Sequence, residues 1–534
     1  RSDSTALVWF KDTSAAAHAG RAMSATETEL KLALPPRDAA ALAVRLMRVP
    51  ALARATPVRE HLVSLYHDTP AQDLLRQRVA LRLRREGPEG AGARWLQTLK
   101  TAGDTTSALS QRGEWEMPVA GPALELHRLE GTPWPAMDPD GVLAAALQPC
   151  FTTDFVRTRW RVRVRGGAVV EVALDVGAVT ATVDGAAHAT PLCELELELL
   201  QGPPEALLAL ARRIARHVPV LPLAASKAAR GYALLHPPAS PAVEAQPPAL
   251  KRGMTVAQVA ERVLQEPFHQ FCANLFALQQ GSDAPEVVHQ ARVGWRRLRS
   301  LARLFAPACA ARPAPAAAAL APLLQSLGHL RDLDVARTQT LPALAAHYAQ
   351  GGARQAAAWA AAQAALDAAA DQARAQTRAA LHRPAVGAAL LAWQDWLHGW
   401  ALAAQGECGV DACASDALAG APARHWVRKR VQRLVRRLGA ALKTAGDDEG
   451  LHHARILAKR LRYGSTSLAP LLPRRMGRHR GAAEQWQERL GAQRDWAQAA
   501  ALVAGCGGDA AVVAFLRGAA LGRGWDPLRD AARR

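Results

Sequence analysis

Glu27-Thr28-Glu29-Leu30-Lys31 is the stretch on which the fold of the first half turns. As a β-strand, alternation puts Glu27, Glu29 and Lys31 on one face and Thr28, Leu30 and Leu32 on the other. Two carboxylates and an ammonium make a poor hydrophobic face. They make a good inner face for a wet barrel that holds a divalent metal and an anion. Taken alone, the pentad reads more readily as a half-solvated edge strand with a chance charge pattern. Its recurrence over the next two hundred residues changes that reading.

A turn at Pro35-Pro36 and a helix through about Arg48 follow the pentad. The stretch from His61 to Thr69 reads as a strand and Leu74–Arg78 as a short helix. Residues 79–84 then alternate with Arg82 and Arg84 on one face, and 95–100 and 112–116 behave alike. From Arg157 to Arg165 every second residue is arginine. Residues 169–175 and 179–183, broken at Gly177, read as a hairpin, and 193–200 carry Glu194, Glu196 and Glu198 on one face. A helix over Pro204–His217 closes the series. A sandwich would bury the apolar faces and solvate the charged ones. A barrel could instead turn the charged faces inward around water and cover its apolar outside with helices. Facing acidic pairs then need a cation, and oxygen-only ligands suit Mg²⁺ or Mn²⁺ rather than zinc. Arginine and lysine in the same lumen suit phosphate oxygens.

The 534 residues exceed one compact core, so two or more domains are expected. Half the residues are apolar and the net charge is +19, but the charge is lopsided. Residues 1–250 hold 28 basic against 26 acidic side chains, whereas 251–534 carry a net +17. A second half of that sign suits a polyanion: nucleic acid, polyphosphate or an acidic membrane surface. Cysteines stand singly at 150, 193, 272, 309, 408, 413 and 506, without metal spacing, so neither a disulfide framework nor a zinc site is indicated. No apolar run reaches the ~20 residues that span a bilayer. Met23 stands just before the pentad, so residues 1–22 are expected to be a non-native or disordered extension, and a cytoplasmic protein is expected.

With these residues in view, the chain resembles the CYTH family of triphosphate tunnel metalloenzymes. The pentad matches that family's ExExK signature. YHDTP (66–70), LRLR (81–84), TLK (98–100), RGEWE (112–116), RTRW (157–160), CELELELL (193–200) and SKAARGY (226–232) follow in the expected order. The resemblance implies an eight-stranded antiparallel barrel that binds a triphosphate along its tunnel and hydrolyses the terminal phosphoanhydride. It implies Glu27, Glu29, Glu194, Glu196 and Glu198 as ligands of Mg²⁺ or Mn²⁺. Lys31, Arg82, Arg84, Lys100, Arg112, Arg157, Arg159 and Lys227 would grip phosphate, and Glu114 and Glu116 would position metal or water. Asp175 and Arg230 match weaker positions and read as structural.

Residues 237–254 are proline-rich and read as a linker. Beyond them strand alternation gives way to helical spacing. Two segments of this half echo each other: His289, Arg292 and Arg296 fall at i, i+3 and i+7, as do His452, Arg455 and Lys459. Each is followed by an LGxxRD echo, at 327–332 and 490–495. Like charges stacked on one helix stripe call for a bound anion. The pair resembles the CHAD family, paired helical bundles around a basic channel that binds inorganic polyphosphate. By that resemblance His289, Arg292, Arg296, Arg297, Arg299, His452, Arg455, Lys459, Arg460 and Arg462 would contact it, and the domain would span 255–525. Arg428, Lys429, Arg433 and Arg437 read equally as an extension of the patch or as a solvated face. Two departures stand out: Gly464-Ser465-Thr466 replaces the usual glutamate after the second basic helix, and Arg494 occupies a position usually small and polar.

The expected whole is an α+β two-domain chain, with a CYTH barrel tunnel (23–236) followed by all-α paired bundles. It would hydrolyse inorganic triphosphate to diphosphate and phosphate, and bind polyphosphate, with association to polyphosphate granules as a further expectation. The rivals are a non-enzymatic polyphosphate binder, and a tunnel enzyme that acts on thiamine triphosphate or cyclises ATP. Nucleic acid is disfavoured as a partner because few aromatics accompany the basic helices. If His289 or His452 meets phosphate, affinity should rise as pH falls through about 6.5.

Overall fold

In the computed structural model, residues 26–36, 39–89, 92–101, 103, 106–407, 418, 420–444, 448–473, 481 and 495–522 are described. Residues 1–22, Cys408, Cys413 and 490–494 of the second LGxxRD echo lie outside them, Arg494 included.

The alternating segments form one antiparallel sheet. Its strands are β1 (Glu27–Ala33), β2 (Val58–Asp68), β3 (Val79–Glu86), β4 (Arg94–Thr101), β5 (Leu109–Arg112), β6 (Glu114–Val119), β7 (Gln148–Arg163), β8 (Val169–Val183), β9 (Ala186–Gln201) and the two-residue β10 (Leu221–Pro222). They run in the order β10-β1-β9-β8-β7-β2-β3-β4-β6, and β5 pairs with β1. β5 and β6 are one strand kinked at Gly113. Its first half pairs with β1, Arg112 opposite Glu27, and its second with β4, Glu114 opposite Lys100. A Cβ at Gly113 would lie 2.4 Å from the Trp115 ring, so the kink needs glycine. The sheet is therefore curled until its edges share a strand, rather than closed by an unbroken ladder. With the kinked strand counted once and β10 set aside, the eight expected strands are present.

The hairpin expected at Gly177 is absent, because β8 runs straight through that residue. A Cβ there would lie 2.1 Å from the Asp154 carbonyl oxygen, so Gly177 serves close packing against β7. The turn falls instead at Asp184-Gly185, with φ of 50° and 80°, between Val183 and Ala186. A two-residue Asp-Gly loop with both φ positive is the type I′ turn that suits strand twist.

The barrel is inside-out for a soluble fold. Outward residues Leu30, Leu32, Trp160, Val170, Val172, Leu195 and Leu197 form an apolar cluster with Leu42 and Leu46 of the Ala39–Met47 helix and Leu207, Leu208 and Ile214 of the Glu205–Ile214 helix. Leu391, from the Pro384–Gln405 helix of the second half, completes the cluster. The charged inward residues are left facing a lumen.

The second half is helical. Helices run over Val256–Gln279, Pro285–Phe305, Ala321–Val335, Leu341–Ala349, Ala353–Leu381, Pro384–Gln405, Ala423–Thr444, Asp448–Ser467 and Ala510–Gly522. Thr255 starts the first of them with a capping box to Gln258. The proline-rich 237–250 has no regular structure but is laid along this helix, where Val243 N–H donates to Asn274 and Gln246 N–H to Glu266. The two halves also meet directly: Gln394 donates to Ser107 at 3.2 Å, Gln265 to the Thr106 carbonyl at 3.0 Å, and Arg212 pairs with Asp395 at 2.9 Å. Among the described residues no helix is long and apolar enough to cross a membrane.

Candidate functional site

Strand register explains how the charged side chains converge. Glu29 stands opposite Glu198, and Glu198 opposite Glu171, so three carboxylates share one row across β1, β9 and β8. One rung along, Lys31 faces Glu196, while Arg157 faces Asp175 and Asp175 faces Glu194. The lumen they enclose is a cavity of about 1530 Å³. Lys31, Arg82, Arg84, Lys100, Arg112, Arg157, Arg159 and Lys227 all line it, as do Glu27, Glu29, Glu114, Glu116, Glu196 and Glu198. Glu194 does not: it is fully buried in the wall. The sequence reading missed Glu60, Glu171 and Tyr66, which also line the cavity. Glu171 was within reach of the same alternation rule, since β9 pairing sets it beside Glu198.

Two acidic groupings behave differently. Asp175, Glu194 and Glu196 each bring an oxygen within 4.8 Å of the others, a spacing that could hold a metal ion. The Lys227 ammonium already sits there, 2.7 Å from Asp175, 2.9 Å from Glu196 and bonded to Glu194. Arg157 grips Asp175 through two 2.7 Å bonds and Glu196 at 2.6 Å, while Arg230 holds Glu194 at 3.1 Å. A metal could enter this trio only by displacing Lys227. Glu194, expected as a metal ligand, belongs to this trio and is held here by Lys227 and Arg230.

The second grouping has room. Lys100 bridges Glu27 at 3.0 Å and Glu114 at 2.8 Å, and Arg112 reaches Glu27 at 3.0 Å and Glu29 at 2.5 Å. Lys31 also holds Glu29, at 2.8 Å. Glu198, by contrast, makes no ion pair or hydrogen bond with any described residue. Burial, then the charges of Glu27, Glu114 and Glu171, push its carboxyl up to about 8. An unpaired carboxylate among carboxylates is what a hard divalent cation would relieve. An oxygen-only donor set of this kind suits a hard divalent cation such as Mg²⁺ or Mn²⁺.

Glu114 and Glu116 also separate. Burial and Glu27 raise Glu114 above its ordinary value against the pull of Lys100. For Glu116 burial is outweighed by Arg82, Arg84 and Lys100, which hold it low. Arg84 itself is pushed down to about 10 by burial and by Arg82 and Arg157, and stays charged at neutral pH.

In the helical half, His289, Arg292, Arg296, Arg299 and Arg303 recur at three- and four-residue steps along the Pro285–Phe305 helix, hence on one stripe. Arg331 faces His289 and Arg296 from the Ala321–Val335 helix. Arg460 of the Asp448–Ser467 helix meets Arg299, Arg303 and Arg437. The Nε atoms of Arg430, Arg460 and Arg462 are buried without an acceptor among the described residues. Arg297 does not belong to this surface. One residue beyond Arg296 is about 100° round the helix, and its guanidinium is buried on Glu266 at 2.6 Å and Gln270 at 2.7 Å. Burial and Arg331 push His289 down to about 4.

Comparison with known proteins bears on both halves. The CYTH domain family model matches residues 25–232, and the CHAD domain model residues 262–504. The chain is a CYTH–CHAD tandem. The chain is similar to an inorganic triphosphatase of Haemophilus influenzae, 32% identical over 213 residues, or 39% of this chain and 54% of the relative. The chain thus spans about half the length of that curated relative. A solved CHAD domain from the plant Ricinus communis matches at 25% identity and a TM-score of 0.45, over 55% of this chain and 97% of its own. HpAC1 from Hippeastrum, an adenylyl cyclase candidate described as having a dominant triphosphatase activity, matches at 22% identity and a TM-score of 0.29, over 39% and 95%.

Within the CYTH domain, SKAARGY folds into a plug. Ser226 caps the Lys227–Leu235 helix by accepting from Ala229 N–H. Lys227 and Arg230 point from it into the wall, and Tyr232 donates to Asp68 at 2.7 Å. Asp68, from YHDTP, also accepts the backbone N–H groups of Thr69, Leu74 and Leu75. In the CHAD domain the basic groove gains Arg303, Arg331 and Arg437, of which only Arg437 had been singled out. Arg303 continues the stripe by two more turns and was legible from spacing alone.

Proposed function

We propose that the CYTH tunnel hydrolyses inorganic triphosphate to diphosphate and phosphate with Mg²⁺ or Mn²⁺, and that the CHAD groove binds inorganic polyphosphate. The observation that supports the first reading is one cavity lined by eight lysines and arginines and six glutamates from the expected positions. The matched inorganic triphosphatase supports the substrate. Arg82, Arg84, Arg112 and Lys100 bind non-bridging phosphate oxygens and offset the charge that builds on them during transfer. A bound divalent ion supplies Lewis-acid neutralisation of the phosphate oxygens. Glu27 and Glu198 would hold that ion, and Glu114 and Glu116 would position the metal or the attacking water. Arg157 and Lys227 are tied to Asp175, Glu194 and Glu196, and shape the tunnel wall.

Metal binding should report on Glu198. With no metal bound its carboxyl, at about 8, carries a proton at pH 7. That proton must leave on metal binding, so apparent Mn²⁺ affinity is expected to rise about tenfold per pH unit below 8 and level off above it. Calorimetry from pH 6 to 9 in two buffers of different ionisation enthalpy measures both the slope and the proton released. A flat profile would remove Glu198 from the metal site.

For the CHAD groove, Arg460→Ala is expected to weaken long-chain polyphosphate by about threefold to tenfold at low salt, the scale of one charge-assisted contact. Tripolyphosphate turnover should be unchanged. Filter binding at fixed ionic strength decides it, and equal affinity of the variant would take the groove out of polyphosphate binding.

A further inference from the structure

Tyr66 lines the tunnel but has no part in the scheme above. Register places it opposite Arg82 on β3 and opposite Phe151 on β7. Its ring is buried and stacks on Phe151 at 4.6 Å, which fixes the direction of the hydroxyl. The hydroxyl lies in the field of Arg82, Arg84 and Lys227. Arginine and lysine side chains only donate hydrogen bonds. None of the three can therefore accept the Tyr66 proton. A hydroxyl donor ringed by three cations, in a cavity wall, is complementary to one kind of ligand atom: an anionic oxygen.

We propose that Tyr66 is a substrate-contact residue, its hydroxyl donating a hydrogen bond to a phosphoryl oxygen of the chain that Arg82, Arg84 and Lys227 surround. This rests on the triphosphate reading of the tunnel. Charge-assisted bonds of this type are short and worth more than neutral ones. Phenylalanine keeps the stack on Phe151 and removes only the donor, so Tyr66→Phe isolates the contact.

The test is steady-state hydrolysis of tripolyphosphate by wild type and Tyr66→Phe, with thermal melting as the check on folding. The expected result is a KM raised about tenfold or more, a kcat changed by less, and an unchanged melting temperature. The same loss should persist in an Arg82→Lys background. Wild-type kinetics in Tyr66→Phe would overturn the proposal. So would a loss that vanishes with Arg82→Lys, which would make Tyr66 a prop for Arg82. If wild type does not turn over tripolyphosphate, the functional reading fails instead, and calorimetric binding of tripolyphosphate decides Tyr66: weaker binding by the variant upholds the contact, equal binding overturns it.

Discussion

Glu27→Gln is expected to lower tripolyphosphate hydrolysis by about two to three orders of magnitude and leave polyphosphate binding by the CHAD domain intact. Glutamine is nearly isosteric, and its carbonyl oxygen can still accept from Lys100 and Arg112, both now 3.0 Å from Glu27. What it loses is the charge. In the folded protein burial opposes that charge, but Lys100 and Arg112 hold the Glu27 carboxyl well below its ordinary value, so it is ionised throughout the working pH range. If Glu27 holds the divalent ion, as proposed, substitution leaves that ion with one anion fewer. Phosphate release and filter binding on the same preparation separate the two domains' parts. An unchanged rate would mean that the metal sits elsewhere, and the Asp175–Glu194–Glu196 trio would be the place to look.

Lys227→Met addresses that trio and should act chiefly on stability. The ammonium is buried, stands 5.1 Å from the Phe155 ring centroid, and is shared by three carboxylates. Its removal leaves Arg157 and Arg230 to balance them, a change expected to cost about 3–5 kcal/mol at neutral pH. The pH dependence follows from the carboxylates. Burial would raise Asp175, but Arg157 and Lys227 hold it low. Glu196 is likewise held well below its ordinary value by Lys227, Arg157 and Lys31 against burial. A depressed carboxyl contributes stability above its unfolded pKa of about 4, and that stability is lost as pH falls through the folded value. Without Lys227 the depression shrinks, so the gap between the two proteins should hold from pH 8 down to about 4 and close below that, as pH falls through the folded values. Melting temperatures from pH 8 down to about 2 test this, and a gap that stays open below pH 4 would mean that lost packing, not charge, dominates.

The tunnel's lining was legible because period-two alternation assigns faces without any knowledge of the fold. Once Glu27, Glu29 and Lys31 share a face, so must Arg82 with Arg84, and Glu196 with Glu198. What alternation does not give is depth along the strand. Glu194, Glu196 and Glu198 look equivalent in sequence, yet the Lys227–Leu235 plug enters at the level of Glu194 and leaves Glu198 bare. That difference arises from a helix returning some thirty residues later, which local pattern does not encode. Gly177 misled for a related reason, since a strand glycine marks either a turn or a close backbone approach, and only the neighbour across the sheet decides. In the helical half the stripe was readable, but Arg297 beside Arg296 shows that a run of basic residues must be split by helix angle before it is taken as one surface.

We propose metal-dependent hydrolysis of a linear triphosphate in the tunnel. It is tested most directly by phosphate release from tripolyphosphate, ATP, thiamine triphosphate and diphosphate, each with Mg²⁺, Mn²⁺ or EDTA. Turnover of tripolyphosphate well above the nucleotides, abolished by EDTA, is the predicted result. Cyclic AMP from ATP would keep the metal site and change the reaction. No turnover of any substrate, with polyphosphate still bound, would contradict the account and leave the chain a binding protein.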